Sequence, residues 1–152
     1  MSTDAKLSIR QYPNLNFIII INPASGPGAS SSPDGNYTRE IPQLNAHTNV
    51  QTVGYVATGY ATRSLDDVFQ DIKTYATWRD NKSVPGLGMD GIFLDETPNA
   101  YSSASFDFVS AIDKNVRSSE GWGTNGMVSK PKDLFPQSLQ TRILDVMGNA
   151  RG

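Results

Sequence analysis

Apolar residues along the chain fall into three short continuous runs, separated by longer stretches with helical spacing. Phe17-Ile-Ile-Ile-Ile21 is an unbroken β-branched run stopped by Asn22-Pro23. Continuous rather than alternating apolarity marks a strand buried on both faces, as in a parallel sheet. The second run, Val53-Gly-Tyr-Val56, lies within the stretch Val50 to Thr58. The third, Gly91-Ile-Phe-Leu94, ends in Asp95-Glu96-Thr97-Pro98. Between the first two, a Gly/Ser/Pro-rich loop (residues 23–35) leads into a predicted helix over 36–48, with Ile41, Leu44 and Thr48 on one side. Between the second and third, Ser64 is a natural N-cap for a helix beginning Leu65-Asp66-Asp67, whose acids suit a positive helix N-terminus. Leu65, Val68, Ile72, Tyr75 and Ala76 follow at helical spacing, with Trp78 near the end, and residues 80–90 form a polar connection. A further helix is expected over 104–117, where Phe108, Ile112 and Val116 share a face. Beyond Ser118 the pattern degrades. Leu139 to Met147 reads as one more helix, and Met127-Val128 is the only other strand-like spot.

The order is therefore β-loop-α, β-loop-α, β-loop. The strands start about 36 to 38 residues apart, the size of one βα unit. Such units imply parallel strands with right-handed crossovers, an α/β fold. A (β/α)8 TIM barrel takes about 250 residues, so this chain supplies about half a barrel. An open doubly wound domain would be complete at this length, and the rhythm alone fits both.

Composition narrows the function. The 152 residues carry a net charge of −2, with no basic footprint for a nucleic acid or an anionic membrane. The absence of cysteine removes disulfides, thiolate zinc sites and cysteine nucleophiles. A single histidine, His47, argues against multi-histidine metal sites and Ser-His-Asp arrangements, and toward the end of its helix it reads as a solvated residue. No metal and no cofactor are expected. The longest apolar run, Phe17 to Ile21, is far short of the roughly 18 residues a membrane span needs. Met1 to Arg10 lacks a signal-peptide pattern. Two sequons occur, Asn36-Tyr37-Thr38 and Asn81-Lys82-Ser83.

In parallel α/β folds, sites lie beyond the C-terminal ends of the strands. Here those ends offer an amide at Asn22, a hydroxyl and a ring in Thr58-Gly59-Tyr60, and two carboxylates in Asp95-Glu96. This set suits a polyhydroxylated ring. Adjacent strand residues point to opposite faces, so Asp95 and Glu96 cannot face each other across a glycosidic bond unless the strand has already turned. Glycosidases place their two acids about 5 to 9.5 Å apart, usually from different strands. The bland reading makes Asp95 a turn cap and Glu96 a solvated residue. Asn22-Pro-Ala-Ser-Gly-Pro-Gly28 resembles the Asn-Pro-x-Ser-Gly-x-Gly loop of diacylglycerol and sphingosine kinases. Pro23 and Pro27 each remove an N–H from any phosphate cradle, and Gly88-Met-Asp-Gly91 only approximates the glycine-rich loop those kinases also need. Trp78 with Tyr75 reads as core, Trp122 in its glycine-rich loop could stack on a sugar, and Asp66, Asp67 and Asp71 read as a solvated helix face.

Four strings occur in order: Asn16 to Gly28, Gly54 to Arg63, Val68 to Trp78 and Asp90 to Glu96. Together they resemble the spherulin-4, or spherulation-specific family 4, proteins of fungi, slime moulds and bacteria. The resemblance implies a TIM-barrel glycoside hydrolase, secreted or at the cell surface, acting on galactosamine-containing glycans such as galactosaminogalactan. It implies that Asp95 and Glu96 match the Asp-Glu pair ending the fourth barrel strand, with the aspartate catalytic. Asn22, Tyr55 and Tyr60 match positions that line or support the cleft. Ala61 departs from the usual glycine. The family also has a strand before the position of Phe17, for which Met1 to Gln11 leaves no room, and a later strand bearing a further glutamate. Glu120 is the only glutamate after Glu96. The expectation is thus an incomplete, truncated barrel: a family-like segment over residues 12–117 and a divergent tail over 118–152. It is either an endo-acting hydrolase relative or a non-catalytic polysaccharide-binding or structural protein of spores or cell walls, with the lipid-kinase-like fragment as a third reading.

Overall fold

The three apolar runs become three parallel strands: β1 (Phe17–Ile21), β2 (Val50–Ala57) and β3 (Gly91–Asp95). The computed structural model describes residues 3–122 and 142–145. Helix α1 (Thr3–Gln11) precedes β1, α2 (Gly35–Asn45) joins β1 to β2, α3 (Leu65–Thr77) joins β2 to β3, and α4 (Ser103–Ser118) follows β3. A fourth parallel strand, β4 (Arg142–Asp145), pairs with β1, giving the order β3-β2-β1-β4.

Strand alternation sorts the sheet into two faces. Phe17, Ile19, Ile21, Val56 and Ile92 share one core cluster with Ile41 and Leu44 of α2 and Val68, Ile72 and Tyr75 of α3. Both crossover helices therefore cover the same face, and β1, β2 and β3 lie side by side in chain order. A doubly wound sheet puts helices on both faces and reverses its strand order. Here α2 and α3 cover one face, while β4 on the far side of β1 reverses the order set by β1, β2 and β3. The other face carries Ile20, Val53, Tyr55, Phe93 and Asp95, in register across the strands.

Local chemistry explains the elements. Asp34 accepts from the Asn36 and Tyr37 N–H groups to start α2, Ser64 from Asp67 to start α3, and Ser102 from Ser105 to start α4. Helix α3 docks closely because β2 has glycine at position 54, where a Cβ would sit 2.6 Å from the Tyr75 ring. The Tyr75 hydroxyl then reaches past the sheet to donate to the Ile21 carbonyl at 2.9 Å. Tyr75 and Trp78 meet edge to face, 4.8 Å between centroids, and both are buried as core.

Several expectations change. Residues 142–145 form a strand inside the segment Leu139 to Met147, whose apolar spacing suggests a helix; pairing along the free edge of β1 prevails over local periodicity. Met127-Val128 lies outside the described residues. The N-terminal residues form a helix that the sequence pattern leaves unassigned, with Ile9 turned into the core. Helix α2 ends at Asn45, so exposed Thr48 is not on its apolar side and half-buried His47 lies just past its end. Asn81 is tied to Ser32 through its side-chain nitrogen at 2.9 Å and caps the Ser83 and Val84 amides, whereas Asn36 is exposed. Of the two sequons, only that at Asn36 presents its asparagine openly. Among the described residues, no helix is long and apolar enough to cross a membrane.

Candidate active site at the strand ends

Side chains of alternate residues on β2 and β3 align Tyr55 beside Phe93 and Ala57 beside Asp95. Asp95, the last residue of β3, receives the Tyr55 hydroxyl on Oδ2 at 2.8 Å and the Glu96 N–H on Oδ1 at 2.8 Å. Both carboxylate oxygens are thus held, which fixes the plane of the group. Burial, together with the Asp95 acceptor, pushes the Tyr55 phenol up to about 12, so it remains a donor throughout the neutral range.

Glu96 lies outside the strand with φ 52°, so the alternation ends there, and its side chain is exposed. The condition under which adjacent acids can escape opposite faces is met: the strand has turned. A clamp holds this turn to the β2–α3 connection. The Thr58 N–H donates to the Asp95 carbonyl (2.9 Å), the Tyr60 N–H to the Glu96 carbonyl (2.6 Å), and the Thr58 hydroxyl to the Glu96 carbonyl (2.7 Å). Thr58 is fully buried, so its hydroxyl fastens backbone and is not presented to a ligand. The clamp leaves Tyr60 at φ 55° with its ring exposed.

The β1 end is fastened separately. The Asn22 side-chain oxygen accepts from the Gly26 N–H (3.1 Å), and its carbonyl accepts the Tyr37 hydroxyl (2.8 Å). Ala24 donates back to Gly26. This loop spends its amides on itself and forms a rigid turn. Gly88 to Gly91 leads into the opposite, N-terminal end of β3, so the two loops a kinase would need lie at opposite ends of the sheet. Asp71 is not simply solvated: it accepts from Arg63 at 2.8 Å, and Arg63 also donates to the Ala57 carbonyl at 2.7 Å. Trp122 is buried, with its indole N–H on the Val116 carbonyl, so it is no sugar platform. Glu120 follows the far end of α4, remote from the strand ends that hold Asp95.

Ser25, Tyr60, Ala61 and Glu96 are the non-glycine residues with positive φ among the described residues, and all four follow strand C-termini. Such conformations cost about 1 kcal/mol or more each and cluster where surrounding structure holds a functional geometry. The sequence pattern named Tyr60 and Glu96 for their chemistry, read the Thr58 hydroxyl as facing a ligand where it fastens backbone, and missed the Arg63–Asp71 brace. Arg63 just ahead of an acid-rich helix was the available signal. No group of three or more metal-ligating side chains occurs among the described residues.

The sequence profile described as spherulation-specific family 4 matches residues 4–147. The chain belongs to that family. Spherulin-4 of Physarum polycephalum is 41% identical over 108 residues, covering 71% of this chain and 29% of that protein. The crystal structure of Aspergillus clavatus Sph3 in complex with GalNAc superposes with a TM-score of 0.77 at 43% identity, covering 80% of this chain and 48% of that one. This member of the spherulation-specific family thus spans less than half the length of both relatives. A glyoxylate reductase of Pyrococcus furiosus is 27% identical over 130 residues, too distant to carry a family assignment.

Proposed function

We propose that this chain is a glycoside-hydrolase-like segment, about half of a (β/α)8 barrel, that acts on galactosamine-containing polysaccharide with Asp95 as its catalytic carboxylate. The observation that carries the reading is the held carboxylate of Asp95 at the C-terminal end of a parallel sheet, in a chain 43% identical to a protein bound to GalNAc. Tyr55 and the Glu96 amide orient Asp95. Glu96 stands beside it on the turn. Asn22, Tyr55 and Tyr60 are the proposed sugar-binding residues, and the segment carrying the function is 12–117. Glycosidic hydrolysis needs a second acid across the bond, and Glu120 at the far end of α4 is not in reach of that task.

That single-sided arrangement favours a second reading: a non-catalytic polysaccharide-binding protein built on the same strand ends. One experiment separates them. Purified chain is incubated with an N-acetylgalactosamine-containing polymer, and reducing ends are counted. Release by wild type that falls by at least about 10²-fold in Asp95→Asn supports catalysis. Equal inertness of both proteins refutes catalysis, and retained polymer binding then favours the binding reading.

A further inference from the structure

Five large apolar side chains are exposed among the described residues, and three of them border the strand ends described above: Tyr60, Tyr101 and Phe106. Tyr101 is 86% exposed and lies in the short connection from Asp95 to α4; Phe106 is 59% exposed in the first turn of α4. Their rings sit 6.5 Å apart, tilted by 52°. Folding does not account for them. Helix α4 buries Ile112 and Val116 and packs Phe108 against the core, while Phe106 lies about 200° around the helix from Phe108. Helix α4 also contacts the Gly59–Ala61 turn that carries Tyr60, and the Tyr60 N–H belongs to the clamp holding Glu96.

The chemistry around the pair selects a ligand. Between Glu96 and Asp113 there is no lysine or arginine, the one charged residue is the exposed Asp107 beside Phe106, and the pair is flanked by Asn99, Ser102, Ser103 and Ser105. A polyanion finds no cation there. A neutral polyhydroxylated chain finds aromatic faces for its C–H surfaces and hydroxyls for its rim. Exposed aromatic pairs rimmed by small polar residues mark binding grooves. We propose that Tyr101 and Phe106 form an aromatic platform that stacks on a sugar of a galactosamine-containing chain without anionic groups, at least one residue away from the sugar at Asp95. This rests on the polysaccharide reading above and extends its site along the polymer toward α4.

The test measures equilibrium binding of N-acetylgalactosamine and of its oligosaccharides of increasing length to the full chain. For oligosaccharides long enough to span both places, Tyr101→Ala/Phe106→Ala raises Kd by about tenfold, which is the loss of one good aromatic contact. For the monosaccharide it changes nothing. Equal binding of long oligosaccharides by the double variant and wild type overturns the platform and leaves the site at Asp95 standing. Wild type that binds neither ligand overturns both readings. Tyr101→Trp gives an independent signal should the double variant fold poorly. Its emission shifts to the blue with long oligosaccharide and not with the monosaccharide; emission that long oligosaccharide leaves unchanged counts against the platform.

Discussion

The two ends of the sheet are built on opposite terms. At the N-terminal end, side chains satisfy backbone, and among the described residues no non-glycine residue there has a positive φ. Thr52 is fully buried; its N–H donates to Asp90 Oδ2 (2.9 Å) and its hydroxyl to Asn45 Oδ1 (2.7 Å). The Asn45 amide nitrogen donates to the Gly86 and Gly88 carbonyls, each at 2.8 Å, and that of Asn49 reaches the Leu15 carbonyl at 3.1 Å. A hollow of about 300 Å³ beside Asn45, Arg79 and Asp90 lies at this end, away from the carboxylate pair. At the C-terminal end, a half-buried aspartate is held by a tyrosine, and left-handed non-glycine residues follow each of β1, β2 and β3. The contrast teaches that one end is spent on stability and the other on geometry. Conformational cost is accepted only where a ligand would sit.

Asn45→Ala breaks this contrast most strongly. It leaves the half-buried Gly88 carbonyl and the Thr52 hydroxyl without their partner, and lowers stability by about 2 kcal/mol, seen as a thermal midpoint lower by on the order of 10 °C. Activity or sugar binding per folded molecule stays at the wild-type level. A matching loss of function by the folded fraction would erase the distinction between the ends.

The elements of the fold were largely legible because burial on both faces forces continuous apolar strands, and Ile41, Leu44, Val68 and Ile72 carry the helical period. Which way the sheet winds was not legible. The rhythm is the same in barrels and doubly wound domains, and nothing in it shows that α2 and α3 share one face or that β4 pairs with β1. β4 was misread because Arg142–Asp145 gains its structure from pairing with β1, a contact 125 residues away in the register Phe17↔Arg142. At the site, the residues that carry chemistry were named from type and position. The clamp through Thr58 was hidden because backbone partners leave no side-chain signature.

Tyr55→Phe sharpens the comparison at the functional end. Losing the donor to Asp95 frees the carboxylate to rotate and reduces cleavage by about tenfold to a hundredfold, with a small change in stability at neutral pH. Its pH signature has a definite sign. The folded phenol is raised to about 12, above the roughly 10 of an unfolded tyrosine, so the stability it contributes is complete below pH 10 and is lost as pH rises toward 12. Buried Tyr75 is shifted in the same direction. Thermal midpoints measured between pH 9 and 12 therefore fall in wild type and fall less steeply in Tyr55→Phe. Parallel slopes would mean that Tyr55 is not held as described.

The smallest expected effect on stability is at Glu96. Glycine relieves the left-handed backbone at φ 52° but adds chain entropy in the unfolded state. Glu96→Gly should stay within about 1 kcal/mol of wild type by chemical denaturation, while cleavage or sugar affinity falls. A large destabilisation would make Glu96 a structural residue and not a member of the site.

The central claim is that the Asp95 end exists for chemistry on a sugar and not for holding the fold. Its most direct test is to record, on one preparation of Asp95→Asn, both reducing-end release from an N-acetylgalactosamine polymer and the thermal midpoint. The account predicts release lost against an active wild type, with a midpoint within a few degrees of it. Undiminished release, or a midpoint that collapses as it does in Asn45→Ala, would contradict it.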